Sequence, residues 1–259
     1  MHMKITVNGE TLNYVREGQG PAVVLIHFLG GVSYQWRHQI EALKARYTCI
    51  AFDHRGFGYS TFNGRWDVPT GAQDLKAGLD ALGIENAHIV GYSMGGPVAL
   101  VFNSQWPGMV RSLALIDTFA KNHTHSQARI EETEKCFRYM SSREYARQYC
   151  ATRLLPSTSK AAFDELVSAI CLARKEAYLD VLRGILLPDF TGHCSKVKAP
   201  TLVMCGRQDR TTPVAMTNDL TRLIAGAVER IIPTGHLGVF DDPAAFSKPL
   251  IEFLDAQPR

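Results

Sequence analysis

Ser93, Asp209 and His236 are the residues whose types and settings suit chemistry. A serine hydroxyl is a weak nucleophile at neutral pH. It needs a base within hydrogen-bond reach and a third group that orients the base. Ser93 stands in Gly91-Tyr92-Ser93-Met94-Gly95, after the apolar run Ala87-His88-Ile89-Val90 and before Gly96-Pro97-Val98-Ala99-Leu100-Val101-Phe102. That order reads as strand, sharp turn, helix, the setting in which a Gly-x-Ser-x-Gly turn lifts its serine above a strand end. Without the setting the pattern says little: chance supplies it in roughly one chain in ten of this length. Asp209 falls in Gly206-Arg207-Gln208-Asp209-Arg210-Thr211-Thr212-Pro213, directly after an apolar run at 201–205. His236 falls in Pro233-Thr234-Gly235-His236-Leu237, directly after another at 228–232. All three therefore follow the C-terminal ends of predicted strands, the edge where open α/β sheets bind ligands. Asp117, which ends the run 113–116, is the rival for the acid.

The elements that must position these residues can be read from hydrophobic patterning. Residues 5–7 and 12–15 flank Asn8-Gly9-Glu10, and Asn-Gly is a hairpin signal. The runs 22–26, 49–52, 87–90, 113–116, 201–205 and 228–232 are continuously apolar or nearly so. Strands buried on both faces of a parallel sheet have this look. Between them, Leu75, Leu79 and Leu82 share one helical face, and Phe246, Leu250 and Phe253 another. Strand alternating with helix predicts an α/β fold with a doubly wound, mostly parallel, eight-stranded sheet. The alternation stops at 121–198. There Phe163, Leu166, Val167, Ile170 and Cys171 form one helical stripe, and Leu179, Leu182, Ile185 and Leu186 a second. The expected organisation is a core at 1–120, a helical insertion of three or four helices at 121–198, and the rest of the core at 199–259.

Composition narrows the function classes. The chain has 259 residues, a formal charge of +3 from 28 basic and 25 acidic residues, and 46% hydrophobic residues. Lys and Arg are scattered, which argues against a nucleic-acid partner. The apolar runs are too short to span a bilayer, and the N-terminus enters a strand pattern at once, so neither a membrane nor a signal peptide is expected. No two of the six cysteines have zinc-knuckle or redox spacing, as expected of reduced thiols in a cytoplasmic protein. His123-Thr124-His125 has no further ligand at suitable spacing, so no metal is expected. No cofactor is expected either.

With these motifs in hand, the chain resembles the α/β-hydrolase superfamily over nearly its whole length, and within it the small-cap carboxylesterases and 3-oxoadipate enol-lactone hydrolases. Ile26-His27-Phe28-Leu29-Gly30-Gly31 resembles the family's oxyanion loop, and Asp53-His54-Arg55-Gly56-Phe57-Gly58-Tyr59-Ser60 its Asp-x-Arg-Gly-x-Gly-x-Ser turn. Residues 91–96 match the nucleophile elbow, 206–213 the acid loop, and 235–237 the histidine loop. The resemblance implies that Ser93 is the nucleophile, His236 the general base and acid, and Asp209 its orienting partner. It further implies that the Met94 and Leu29 N–H groups form the oxyanion hole, and that the insertion is a cap following the sixth strand. Phe28 stands where many members have glycine, and Phe28 and Tyr92 are candidate pocket lining. The expected pocket is a largely apolar cleft between cap and sheet.

Blander roles suit several other residues. His27 reads as structural, and Asp53 and Arg55 as turn scaffolding. Arg129, Arg138, Arg143 and Arg147 read as a solvated helical face, with substrate carboxylate binding as the sharper alternative. The superfamily runs several chemistries, so fold does not fix the reaction. A serine at the elbow argues against its dehalogenases and epoxide hydrolases, which use aspartate there. The favoured expectation is hydrolysis of a small, largely apolar ester or lactone through an acyl-enzyme on Ser93. The alternatives are C–C bond hydrolysis of a ring-cleavage dienone acid, cofactor-free oxygen or peracid chemistry, and a slow-turnover small-molecule receptor.

Overall fold

The computed structural model describes residues 3–122 and 126–258. His123-Thr124-His125 lies outside the described residues. Eight strands form one sheet: β1 (Met3–Val7), β2 (Glu10–Glu17), β3 (Ala22–Ile26), β4 (Thr48–Phe52), β5 (Ala87–Tyr92), β6 (Val110–Ile116), β7 (Thr201–Gly206) and β8 (Val228–Ile232). Their order is β1-β2-β4-β3-β5-β6-β7-β8. β1 and β2 pair antiparallel, as do β2 and β4; the other pairings are parallel. Val7 pairs with Glu10 across a two-residue turn in which Asn8 and Gly9 both take positive φ. This is the geometry that Asn-Gly favours, because it matches the twist of the flanking strands.

The apolar runs work as two-faced strands. Val24 and Ile26 of β3, Ile50 and Phe52 of β4 and Ile89 of β5 face one core layer. Val23 and Leu25, Cys49 and Ala51, and Val90 face the other. The first layer is closed by α2 (Val68–Ala81), α3 (Gly95–Gln105) and α9 (Val214–Leu223), and the second by α1 (Arg37–Leu43) and α11 (Pro243–Asp255). Two runs depart from expectation. β8 alternates exposed and half-buried positions because it is an edge strand with a neighbour on one side only. On α11 the buried stripe is Phe246, Leu250 and Leu254, a clean i, i+4, i+8 row, and Phe253 lies at its margin.

Between β6 and β7 the described chain is helical: α4 (Ser126–Tyr139), α5 (Ser142–Arg153), α6 (Lys160–Ile170), α7 (Lys175–Leu186) and the short α8 (Thr191–Cys194). Helix starts are locally encoded. Ser141 and Glu144 form a reciprocal capping box on α5, and Ser159 caps α6. The amphipathic stripes of α6 and α7 turn inward through Leu166, Val167 and Ile170, and through Val181, Leu182 and Ile185. The segment leaves and rejoins the core at one neck, where the Phe190 N–H donates to the Ala120 carbonyl (2.8 Å) and Lys121 pairs with Asp189 (2.7 Å). The remaining short helix, α10 (Gly238–Asp241), follows the His236 loop. The cysteines are free. No helix among the described residues is long and apolar enough to cross a membrane.

Candidate active site

Three strand ends bring Ser93, Asp209 and His236 into one hydrogen-bonded chain. Ser93 Oγ lies 3.1 Å from His236 Nε2, and His236 Nδ1 lies 2.7 Å from Asp209 Oδ2. A proton on Nδ1 facing the carboxylate leaves Nε2 as acceptor for the serine hydroxyl, the tautomer a general base requires. All three residues are buried, Ser93 being 7% exposed.

The turn at Ser93 is held by steric necessity. Ser93 takes φ 52°, a left-handed conformation that costs a non-glycine residue about 1 kcal/mol or more. Its N–H donates to the Ile116 carbonyl (2.9 Å), and Thr118 Oγ1 donates to the Ser93 carbonyl (2.6 Å). A Cβ on Gly91 would sit 2.4 Å from the Gly95 carbonyl oxygen, and one on Gly95 would sit 2.6 Å from that of Ile26. The elbow glycines thus let β5 and α3 approach each other and β3 more closely than any side chain allows. Met94 is the N-cap of α3, so its N–H lies at the end where helix N–H groups lack intrahelical acceptors. It is placed to receive an anionic oxygen beside Ser93.

The Leu29 loop faces this point from β3. The departure at residue 28 is accommodated because the positive φ of this loop falls on Gly30 (84°). The Phe28 ring packs edge-on against Tyr92 at 5.3 Å and against Phe240 at 6.4 Å. Phe28 and Tyr92, expected as pocket lining, are instead fully buried. They support the site from below: the Tyr92 hydroxyl donates to the His236 carbonyl at 2.6 Å, tying the serine strand to the histidine loop. His27, read from the sequence as structural, is engaged at both ring nitrogens. Its Nδ1 donates to the Phe28 carbonyl (2.7 Å) and its Nε2 accepts from the His54 N–H (3.0 Å). Burial holds this imidazole below its usual pKa, which fits the neutral form the two bonds need. Asp53 accepts from the Ser33 and Tyr59 N–H groups, and Arg55 forms a fork with Asp74. Both shape turns away from the reacting atoms.

Of the two candidate acids, Asp209 is the one whose carboxylate meets His236. Oδ1 accepts from the N–H groups of Thr211 (2.7 Å) and Thr212 (2.9 Å), while Oδ2 accepts from the Thr212 hydroxyl (2.6 Å) and from His236. Burial raises the pKa of this carboxyl, but the His236 charge and these hydrogen bonds outweigh it, and the net shift is downward. Asp117 lies underneath, fully buried, accepting from the Gly206 N–H at 2.7 Å. Burial and then the Asp209 charge raise its pKa well above the carboxylate range, so it keeps its proton. Asp117, Cys205 and Asp209 bring one ligand-type atom each within 4.8 Å. Both Asp209 oxygens are already engaged by donors, which marks the group as hydrogen-bonded support.

A family model described as the alpha/beta hydrolase fold matches residues 21–141. RutD of Pseudomonas savastanoi pv. phaseolicola, a provisionally assigned carbamate hydrolase, is 24% identical over 250 residues, covering 93% of this chain and 96% of that one. Among solved structures, a thermophilic esterase from Thermogutta terrifontis superposes with a TM-score of 0.89 at 25% identity, covering 98% of each chain. The enol-lactonase of Burkholderia xenovorans LB400 gives a TM-score of 0.90 at 22% identity, covering 98% of this chain and all of that one. The chain has the α/β-hydrolase fold. It resembles esterases and enol-lactonases that share this fold.

The space beside the site was less legible in the sequence. A cavity of about 470 Å³ opens beside His236, walled by Arg153 at the end of α5, by Leu154 and Leu155 after it, and by Gln208, Arg210 and Thr211 of the acid loop. It is as polar as it is apolar, in contrast to the largely apolar cleft expected, because the acid loop and the end of α5 supply its walls. Asp241 fixes that lip: its carboxylate accepts from the N–H groups of Gly235 and Leu155 (2.9 Å each) and from the Thr158 hydroxyl. Tyr149 of α5 donates to the Leu29 carbonyl at 3.0 Å, joining the helices to the loop after β3. Sequence reasoning did not single out Thr212, Tyr149, Asp241 or Arg153. Only Thr212 carried a signal, since an aspartate followed two and three residues on by Thr-Thr suits the local side-chain-to-backbone turn seen here.

Proposed function

We propose that the protein is a serine hydrolase that cleaves a carboxylic ester or lactone of a small substrate through an acyl-enzyme on Ser93. The observation that carries this reading is the unbroken chain from Ser93 Oγ through His236 to Asp209, at 3.1 and 2.7 Å. In it, His236 Nε2 takes the hydroxyl proton as Ser93 attacks the carbonyl carbon. The developing oxyanion lies between the Met94 and Leu29 N–H groups, each worth about 3–4 kcal/mol of transition-state stabilisation. His236 returns the proton to the leaving alkoxide, then takes one from the water that clears the acyl group, and Ser93 recovers its proton. Asp209 holds the imidazole in the required tautomer and offsets its charge. The RutD, esterase and enol-lactonase relatives support carbonyl-directed hydrolysis.

The test is a panel of p-nitrophenyl esters of graded acyl length, simple lactones, an aryl carbamate and a vinylogous diketone, run on wild type and Ser93→Ala. The reading requires multiple turnovers of an ester or lactone and their loss in Ser93→Ala. Full ester turnover by Ser93→Ala, after removal of contaminating esterase, would sink it. So would activity confined to the diketone, or rates near a single turnover on every substrate.

A further inference from the structure

The connection between α5 and α6 lies directly on the loop that carries His236, and one carboxylate holds the two together. Leu155-Pro156-Ser157-Thr158 closes a four-residue turn, with the Thr158 N–H donating to the Leu155 carbonyl at 3.0 Å. Proline suits the second position of such a turn because its φ is preset. Both ends of the turn meet Asp241 of α10. The Leu155 N–H and the Thr158 hydroxyl donate to Oδ1, while Oδ2 accepts from the Gly235 N–H at 2.9 Å. Gly235 is the residue before His236.

The contact is steric as well as polar. A Cβ on Gly235 would lie 3.0 Å from Asp241 Oδ2, 3.2 Å from Leu155 Cδ2 and 3.3 Å from the Arg153 carbonyl oxygen. Leu155 and Arg153 belong to the connection and the end of α5, so the histidine loop packs against that segment without space for a side chain. On its other side the loop is held by Tyr92, whose hydroxyl donates to the His236 carbonyl. That tether starts in β5 and belongs to the sheet. The Asp241 tether differs in kind, because its far end is a surface turn in which Pro156 and Ser157 are exposed.

The two ends of this bridge cannot change independently. A carboxylate is one planar group, and rotating it to follow a displaced turn carries Oδ2 off the Gly235 N–H. A hydrogen bond weakens steeply as its angle closes. His236 Nε2 must stay within hydrogen-bond reach of Ser93 Oγ to take its proton, and it lies at 3.1 Å here. A misplacement of about 1 Å can cost a hundredfold in rate.

We propose that Asp241 is a positioning residue that makes the placement of His236 depend on the seating of the 155–158 turn. With the turn seated, Oδ2 fixes the N–H before His236 and the base is aligned with Ser93. With the turn displaced, that restraint is released and the base is lost. Leu154, Leu155 and Pro156 also wall the cavity beside His236, so a molecule in that cavity touches the segment that sets the base. The proposal rests on the serine-hydrolase reading and adds to it a control of the base by an element outside the sheet.

The test uses Asp241→Asn and Thr158→Val, singly and together, with kcat and KM measured on the best ester of the panel. Asparagine offers one oxygen and one NH2 group, so it cannot accept on both sides and the bridge breaks. Thr158→Val keeps the side chain's shape and removes one donor. Asp241→Asn should lower kcat by tenfold to about a hundredfold, with KM changed by less than about threefold. Thr158→Val should lower kcat by about three- to tenfold, the range of one lost hydrogen bond, and Thr158→Ser should recover most of it. Because both residues act through one carboxylate, the double variant should be no slower than Asp241→Asn alone. A purely structural role would lower the unfolding temperature and leave kcat within about twofold of wild type, which overturns the proposal. A rise in KM at unchanged kcat overturns it too, as does a double variant whose loss is the product of the single losses.

Backbone hydrogen exchange separates this failure from failure of the hydrolase reading, since it needs no substrate. Thr158→Val should speed exchange in peptides spanning 153–160 and also in those spanning 233–238. Faster exchange at 233–238 upholds the coupling even if no ester is turned over. Acceleration confined to 153–160, or none in either, overturns it even if esters are.

Discussion

Asp209→Asn tests the division of labour between the two buried carboxyl groups. Asp209 accepts four hydrogen bonds, two on each oxygen: Thr211 N–H and Thr212 N–H on Oδ1, the Thr212 hydroxyl and His236 Nδ1 on Oδ2. An asparagine amide cannot serve both sides. If its NH2 group faces His236, Nδ1 must become an acceptor, and the imidazole proton moves to Nε2. There it points at Ser93 Oγ, and the base is lost. If the NH2 group turns the other way, it meets two backbone donors that cannot move. The first arrangement costs less, because the imidazole can shift its proton while an N–H cannot shift its own. In a serine triad the wrong tautomer lowers kcat by about 10⁴-fold, equivalent to about 5 kcal/mol of barrier. Asp117→Asn behaves differently. Asp117 is already neutral, so asparagine keeps an acceptor for the Gly206 N–H and changes no charge. Its kcat should fall by less than about tenfold. The assay is kcat on the best ester of the panel, with circular dichroism confirming that both variants fold. If Asp209→Asn keeps more than a tenth of the activity, or if Asp117→Asn loses more than a thousandfold, the tautomer reasoning is wrong.

Three further outcomes follow from the same geometry. The Asp117 carboxyl binds its proton more tightly folded than unfolded, so wild-type stability from this group is full below an unfolded pKa near 3.9 and declines as pH rises toward the elevated folded value. Asp117→Asn removes that dependence, and the variant should gain stability relative to wild type between pH 5 and pH 8 in urea unfolding; a difference constant with pH would contradict the protonated state. Gly95→Ala puts a Cβ 2.6 Å from the Ile26 carbonyl oxygen, a backbone atom that cannot move away cheaply. It should cost about 1–3 kcal/mol in urea unfolding and lower kcat with it, and a variant of wild-type stability would show that the turn can relax. Tyr149→Phe removes the hydroxyl that holds the Leu29 carbonyl. It should cost about 1 kcal/mol of stability and lower kcat more than it raises KM, because the oxyanion loop loses a tether; a change confined to KM would place Tyr149 in substrate binding instead.

The residues that meet at the serine were legible because each sits in a short local signal. Gly91 and Gly95 flank Ser93 where β5, α3 and β3 crowd together, and the sequence spells that crowding out. Asp209 and His236 directly follow apolar runs, so strand ends located them. The preference for Asp209 over Asp117 came from the family resemblance and not from the local setting, which the two share. Both follow core strands, and only the folded chain shows that Asp209 meets the imidazole while Asp117 accepts from the Gly206 N–H. The half-exposed character of β8 was also hidden, since an edge strand and a central one share the same short apolar run. The cavity walls were least readable. Arg153 ends α5 and Arg210 follows the acid; nothing in their neighbours distinguishes them from solvated arginines until helices separated by many residues fold over the sheet.

The central claim is that Ser93 carries the acyl group. Incubating wild type with a p-nitrophenyl alkylphosphonate, then digesting and sequencing the peptides by mass spectrometry, tests it most directly. The account predicts stoichiometric release of p-nitrophenol, a phosphonyl adduct on Ser93, complete loss of esterase activity, and no adduct in Ser93→Ala. Unmodified Ser93 in fully inactivated protein, or inactivation of Ser93→Ala's residual turnover at the wild-type rate through another residue, would contradict it.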